Sequence, residues 1–393
     1  MSFKVGLIGK PNVGKSTIFS ALTKHNAEIG NYPFTTVKPN MGTAFIRFPC
    51  PHKDKGRECN PADGYCLNGT RYIPVQIVDV PGLIEGASEG KGMGNQFLES
   101  VRDSDAIIQL FDASGRTDMM GNPLPVPEPV IGEEIDMVRN ELRKWLSSFI
   151  SRDWERFAKK ADSSGDRPGK SLQTKLSQLR LTEHDTSEIL ASGVFPSQLS
   201  IWGESDFRDL ASLIIERTKP GIYLGNKIDL LDERQAEEIA TLRNDLYLTS
   251  GETELILMKA REAGILRNED LPFEISEKAT DQQRSALIKL QETSSRKFYT
   301  GVRKALEITV FNKLRRIVVF PVYDESTWED RQGRLLPDAF LMREGDTALD
   351  LAFRIHTEIG ENFIRAIDGK TRRTLGKDHL LSNGDVIKIV SKS

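Results

Sequence analysis

The 393-residue sequence predicts an α/β fold in three parts: a parallel-sheet domain, a helical insertion within it, and a small mixed-sheet domain on the C-terminal side. Three observations carry this expectation. The segment Gly9-Lys10-Pro11-Asn12-Val13-Gly14-Lys15-Ser16 lies between a short, partly β-branched apolar run (residues 3–8) and a helical stretch (residues 16–22). The interval from Asp79 to Asn226 is far longer than one helix, one strand and another helix require, and much of it has helical period. Beyond Arg316 the pattern turns into short alternating runs around a single helix.

Length and composition agree with this division. A chain of this size exceeds one ordinary core and suggests two or three domains. Its net charge of -3 excludes a uniformly basic nucleic-acid coat, so any RNA contact must come from a local patch. The first apolar run is too short for a signal peptide, and no stretch of ~18 apolar residues offers a membrane span. Cys50, Cys59 and Cys66 cannot form a closed disulfide set. A soluble, cytoplasmic monomer without membrane contact is the expectation.

The glycine-rich segment has the position and composition of a phosphate loop. Gly9 and Gly14 allow backbone conformations that turn N–H groups inward on a phosphate, and the helix N-terminus adds partial positive charge. Lys10, Pro11, Asn12 and Val13 form the loop between them, and Thr17 follows Ser16 in the first helical turn. Lys15 is placed to bridge β- and γ-phosphates and Ser16 to ligate Mg²⁺. In Asn31-Tyr32-Pro33-Phe34-Thr35-Thr36, a threonine can close over Mg²⁺ and the γ-phosphate, and Thr36 is chosen over Thr35. Residues 73–78 read as a buried strand ending at Asp79, whose carboxylate can hold a magnesium-bound water while the Gly82 N–H meets the γ-phosphate. Lys15, Thr36 and Gly82 are therefore the catalytic candidates, and Ser16, Thr36 and Asp79 the metal candidates. Residues 82–94 carry five glycines and read as a switch, with a plain flexible loop as the competing interpretation.

Residues 221–225 form a short apolar strand leading into Asn226-Lys227-Ile228-Asp229. The Asp229 carboxylate can accept from both guanine N1–H and the 2-amino group, a paired role that adenine cannot satisfy. Lys227 would lie along base and ribose, and Asn226 would tie this loop to the phosphate loop. After a further strand at 246–248, the N–H groups of Ser250 and Gly251 could donate to guanine O6. Together these segments point to GTP and GDP as ligands.

With these motifs on the page, the chain resembles the Obg-related GTPases, the group that includes the YchF-like proteins. The resemblance rests on residues 31–36 and on Asp79-Val80-Pro81-Gly82-Leu83-Ile84-Glu85-Gly86-Ala87-Ser88-Glu89-Gly90-Lys91-Gly92. It implies an α/β fold with a P-loop GTPase domain, a helical insertion and a C-terminal ubiquitin-like β-grasp (TGS) domain. YchF-like proteins have an altered base-reading motif and accept ATP, whereas this chain keeps Asn226, Lys227 and Asp229, so the architecture carries over and the ATP preference does not. Leu83 stands where Ras-like enzymes have a water-orienting glutamine, so intrinsic hydrolysis should be slow. Similarity to GTPases with an apolar residue there implies K⁺ held partly by Asn12; the alternative is that Asn12 only caps the loop.

The expected division is a G domain over 1–126 and 206–315, a helical hairpin insertion over 127–205 and the TGS domain over 316–393. In the insertion, Ile135, Val138, Leu142, Trp145 and Phe149 form one apolar stripe, a turn falls at 163–169, and Leu172, Leu176 and Leu179 begin the returning helix. A helix is expected at 347–359, with His356 on its apolar side. The TGS resemblance implies contact with RNA or the ribosome. Arg296, Lys297, Arg303, Lys304, Lys313, Arg315 and Arg316 before the module, and Arg365, Lys370, Arg372, Arg373 and Lys377 within it, would supply phosphate contacts, though a solvated helix face explains many such runs. Cys50, His52, Cys59 and Cys66 are the right number and type for tetrahedral zinc, yet their spacing matches no standard ribbon, and reduced cysteines in a hairpin-like loop is the competing interpretation. The leading functional expectation is a GTP-hydrolysing switch on the ribosome or another translation complex. The alternatives are a YchF-like ATPase or nucleotide-sensing stress regulator, and an RNA-binding adaptor with structural nucleotide.

Overall fold

A computed structural model describes residues 3–23, 41–82, 86, 101–179, 181–268 and 270–392. In chain order the described elements begin with β1 (Lys4–Ile8), α1 (Lys15–Thr23), β2 (Met41–Pro49), β3 (Tyr65–Leu67), β4 (Thr70–Asp79) and β5 (Ala106–Asp112). The helical stretch follows as α2 (Ile131–Ser151), α3 (Trp154–Ser164), α4 (Pro168–Lys175), α5 (Glu183–Ser192) and α6 (Glu204–Thr218). Then come β6 (Gly221–Asn226), α7 (Glu233–Ala240), β7 (Leu246–Leu248), α8 (Gly251–Glu262), α9 (Asp281–Arg296) and α10 (Val302–Ile308). The last elements are β8 (Arg316–Val322), β9 (Phe340–Arg343), α11 (Ala348–Ile355), α12 (Thr357–Glu361), β10 (Phe363–Asp368), β11 (Thr374–Leu375) and β12 (Asp385–Ser391).

The chain forms two compact units, one of Met1–Phe3, Phe19–Ile77 and Gly301–Ser393, the other of Lys4–Ile18 and Val78–Thr300. In the second unit β1, β5, β6 and β7 pair in that order, all parallel. Every residue of β5 is buried, as expected of a parallel strand covered on both faces. Parallel pairing brings the ends of β1, β5, β6 and β7 to one edge, and the loops after β1, β6 and β7 carry much of the predicted site.

The apolar stripe of the insertion divides its work. Ile135 joins the sheet core with Phe111, Ala113 and Tyr223, while Leu146 and Ile150 enter a separate helical core around Trp154, Leu172, Leu176, Ile189, Phe207 and Ile214. Here the structure departs from the expected hairpin. The first arm breaks after Ser151, where Asp153 takes a left-handed φ of 55°, and the return is made by two short helices, α4 and α5, before α6. Periodicity missed the break because the next apolar residue, Trp154, is itself buried and continues the pattern. Trp145 and Phe149 are only partly buried and stack on each other at 5.9 Å.

In the first unit β2 lies beside β4, and β3 folds back on β4 through Asn68 and Gly69, both at positive φ as a two-residue hairpin turn requires. Glu307 on α10 grips Arg47 of β2 with contacts of 2.7 and 3.0 Å and accepts the Arg47 N–H at 3.1 Å. The C-terminal sheet has the order β11-β10-β12-β8-β9, with β12 parallel to β8 and the other pairs antiparallel. Ala348 and Leu351 of α11 pack on Ile317, Val319, Ala366 and Ile387 of that sheet. The helix expected at 347–359 breaks at His356, which is exposed rather than packed; its Nδ1 accepts the Glu358 N–H and starts α12.

Trp154 anchors the helical core: its Nε1 donates to Leu199 O at 2.9 Å, and its ring packs on Trp202 and Phe207 with centroids at 5.3 and 5.0 Å. Trp154→Ala should cost about 3–5 kcal/mol. Urea unfolding would show this as a lower midpoint at unchanged slope.

Candidate functional site

The loop after β1 is held open by backbone geometry. Asn12 and Gly14 adopt φ of 60° and 96°. A Cβ on Gly14 would stand 2.1 Å from Asn226 Nδ2, so a glycine is required there. The helical ladder starts immediately, with Ile18 N–H donating to Gly14 O at 3.0 Å, so the positive end of α1 faces the loop. Lys15 Nζ donates to Gly9 O at 3.1 Å and Lys10 O at 2.7 Å. Burial pulls the Lys15 ammonium down to about 8, against the opposing fields of Asp79 and Glu134. A desolvated cation inside a nest of N–H groups is suited to an anion carrying several charges.

The turn after β4 lies against this loop. Val80 N–H donates to Leu7 O at 3.2 Å, and a Cβ on Gly82 would come within 3.0 Å of Pro11. Ser16 Oγ donates to Asp79 Oδ2 at 2.9 Å. Burial pushes the Asp79 carboxyl above its ordinary range, while Ser16 and Lys15 pull it back. A hydroxyl and a carboxylate in contact are the hard oxygen donors that Mg²⁺ takes, so the pair fits that ion. Thr35, Thr36 and Leu83 lie outside the described residues, as does most of the glycine-rich 82–94 segment.

The loop after β6 is locked to the first by one side chain. Asn226, 3% exposed, donates from Nδ2 to Val13 O at 2.7 Å and accepts the Gly251 N–H on Oδ1 at 2.8 Å. Asp229 accepts from Ser250 Oγ at 2.7 Å, and the same Ser250 oxygen caps α8 by accepting the Thr253 N–H at 3.1 Å. Thr17 packs against Gly251, where an added Cβ would meet its Cγ2 at 3.0 Å. The residues expected to hold phosphates, magnesium and base therefore converge, apart from Thr36, which is not described, and two whose ammonium groups turn to carboxylates instead.

Lys10 is one of the two. Its fully buried side chain turns from the loop to Glu134 Oε2 at 2.8 Å and Thr117 O at 2.9 Å, leaving only its backbone in the loop. Burial raises the Glu134 carboxyl, with Lys10 countering. Lys227 is the other: at φ 70° it sends Nζ to Asp112 Oδ2 at 2.7 Å. Burial would lift Asp112, but hydrogen bonds from Lys227, Ser114 and Thr117 outweigh it and hold the carboxyl below the usual range. Asn12 Nδ2 donates to Gly121 O at 2.9 Å, which leaves its amide oxygen as the group a cation would use.

Several supporting residues escaped sequence reasoning. Asp112 ends β5 in a run that reads only as apolar strand, and Glu134 sits at the start of α2 as one of a pair of acidic residues. Lys297 was grouped with surface cations, yet it is 9% exposed and donates to Ile228 O and Asp229 O at 3.3 Å. Tyr299 OH donates to Glu254 Oε1 at 2.6 Å, and Thr300 N–H pairs with Leu248 O, so residues 297–300 buttress the loops after β6 and β7. Arg316, also grouped with the surface cations, is 7% exposed and lies over the Phe3 ring.

Comparison with known proteins agrees with this geometry. Residues 4–150 match a family described as 50S ribosome-binding GTPase, residues 224–324 the Obg-like GTPase YGR210-like, G4 motif-containing domain, and residues 333–391 the TGS domain. The chain is 43% identical over 392 residues to an uncharacterized GTP-binding protein of Methanocaldococcus jannaschii, covering 98% of each. It is 26% identical over 413 residues to the ribosome-binding ATPase YchF of Escherichia coli, covering 99% of each. The crystal structure of a GTP binding protein from Pyrococcus horikoshii superposes with a TM-score of 0.80 at 31% identity, covering 99% of this chain and 100% of that one. The chain belongs to the Obg/YchF-like GTPases that carry a C-terminal TGS domain.

Proposed function

We propose that the protein binds GTP in preference to ATP, hydrolyses it slowly to GDP and phosphate, and uses the change to time its contact with the ribosome or a related RNA complex. The observation that carries this reading is the Asp229 carboxylate, held by Ser250 in a loop that Asn226 ties to the phosphate loop. An anchored carboxylate beside a phosphate cradle gives guanine two charge-assisted hydrogen bonds and leaves adenine with none.

In this scheme Gly9, Pro11, Val13, Gly14, Thr17 and the Lys10 backbone line the phosphates, and Lys15 lies across the β- and γ-groups. Ser16 and Asp79, with Thr36, would hold Mg²⁺, which spreads the charge that builds on the phosphate oxygens. The Gly82 N–H would report the γ-phosphate, while Ser250 and Gly251 would donate to the base. Lys227, fixed by Asp112, keeps its alkyl stem for base and ribose. Leu83 offers no group to orient water, so the barrier falls through preorganised charge, with K⁺ partly held by Asn12 supplying the added cation.

The C-terminal module supports the ribosomal part of the reading. Arg365, Lys370, Arg372, Arg373 and Lys377 are all exposed, on β10 and the chain around edge strand β11. Arg296, Lys304 and Arg315 are exposed as well, whereas Lys297 and Arg316 are buried and drop out of any surface patch. Among the described residues no helix is long and apolar enough to cross a membrane. A relative bears the name ribosome-binding ATPase, and it is the competing ATP reading that a nucleotide comparison must exclude.

Calorimetry should show GTP binding with ATP weaker by at least about a hundredfold, and Asp229→Ala should erase that gap, since hydrogen bonds to a charged group contribute about 1.5–3 kcal/mol each. Equal affinities in the unaltered protein would favour the ATPase reading. Affinity should also depend on pH. Lys15 ionises near 8 in the free protein, and bound phosphates raise that value, so binding takes up a proton once the free lysine is neutral. GTP affinity should thus be level on the acid side of about 8 and fall above it, with proton uptake seen as a buffer-dependent binding enthalpy. Ribosome binding should weaken steeply with salt, and each of Arg365, Arg372 and Arg373 changed to Gln should reduce the log–log salt slope by about 0.7–0.9.

A further inference from the structure

We propose that Cys50, His52, Cys59 and Cys66 form a closed structural Zn²⁺ site that fastens the β2–β3 connection to the C-terminal module. The four residues come from four successive pieces of chain: the residue after β2, the 3-10 turn Pro51–Lys55, an exposed loop, and strand β3. Their ligand atoms nevertheless all lie within 4.8 Å of one another. Cys50 Sγ is 3.7 Å from Cys59 Sγ, and His52 Nδ1 is 3.2 Å from Cys59 Sγ and 3.5 Å from Cys66 Sγ. Zn–S and Zn–N bonds of about 2.3 and 2.0–2.1 Å at tetrahedral angles put sulfurs about 3.8 Å apart and sulfur about 3.6 Å from nitrogen. A disulfide instead needs about 2.05 Å between sulfurs and would leave a third thiol and the imidazole without purpose.

Packing does not explain the convergence. No hydrophobic side chain between Cys50 and Tyr72 is buried, so this connection has no core of its own, the situation in which short segments rely on metal or disulfide staples. The partner charge is also in place. Arg71, directly opposite Cys66 across the β3–β4 pair, is fully buried; its Nη2 donates to Leu336 O, while Nε and Nη1 have no hydrogen-bond partner. Three thiolates, one neutral imidazole and Zn²⁺ leave one net negative charge, which offsets this guanidinium. Four protein ligands leave no open position, which makes the site structural rather than catalytic.

The loop so held docks on residues 326–337. Asn60 and Ala62 N–H groups donate to Leu335 O and Pro337 O at 3.0 and 2.8 Å, Lys55 Nζ reaches Ser326 O at 2.6 Å and lies 4.2 Å over the Trp328 ring, and Arg57 pairs with Glu329. The metal therefore fixes a segment whose outer face is a docking strip for the C-terminal module.

The test uses the full-length chain purified without chelator. Elemental mass spectrometry should find about one zinc per chain, and Co²⁺ exchanged into the protein should give the intense visible bands of a tetrahedral thiolate site. Cys59→Ser and Cys66→Ser should each lower zinc content at least tenfold, whereas His52→Cys should retain the metal and shift the Co²⁺ spectrum. Zinc removal should speed amide exchange in residues 51–64 and 326–337 while leaving β1 and β5 protected. Absence of zinc together with no tetrahedral Co²⁺ spectrum in the unaltered protein would overturn the proposal, as would a native Cys50–Cys59 disulfide found by peptide mapping or full zinc content in both serine variants.

Discussion

The buried amide of Asn226 is the interaction on which the candidate nucleotide site depends. One end holds the Val13 carbonyl and the other the Gly251 N–H, so a single side chain sets the distance between three loops. Removing it would strand a buried acceptor and a buried donor at about 1–3 kcal/mol each. The constraint reaches further because Gly14 lies too close to the amide to carry a Cβ. Loop curvature, and with it the aim of Lys15, follows from that contact. The parallel pairing of β1, β5 and β6 supplies the scaffold, since it brings the ends of these strands to the same edge.

This arrangement also shows what a sequence can and cannot reveal. The phosphate loop was legible because its chemistry is contiguous: β1 and α1 start and end within a residue or so of the expected limits, and the glycines sit where backbone strain demands them. The Asn226–Asp229 loop was legible for the same reason. Glu134 and Asp112 were not, since each acts through a partner more than a hundred positions away, and neither periodicity nor charge pattern encodes such a pairing. Lys297 was misassigned because a cation within a basic run looks solvated until burial is known. Asp153 and His356 interrupt helices at points where the apolar pattern continues, so periodicity ran through both breaks.

The first unit makes a related point about irregular spacing. Cys50, His52, Cys59 and Cys66 follow no familiar ribbon, and their approach depends on a hairpin turn at Asn68 and Gly69 that returns β3 toward the end of β2. Sequence supplied the right atoms; the turn supplied the geometry. The same loop meets residues 326–337 across more than 260 positions of chain, so the partner of this strip could be found only in three dimensions.

The buried pair between Lys10 and Glu134 has a mechanical consequence. Breaking it would leave an uncompensated charge out of water, at about 3–5 kcal/mol, so the tip of the phosphate loop and the base of α2 travel as one piece. Helix α2 runs for 21 residues, or about 30 Å at 1.5 Å per residue. Its far end, with Leu146 and Ile150, packs into the helical core around Trp154, so one continuous helix joins that core to the loop tip.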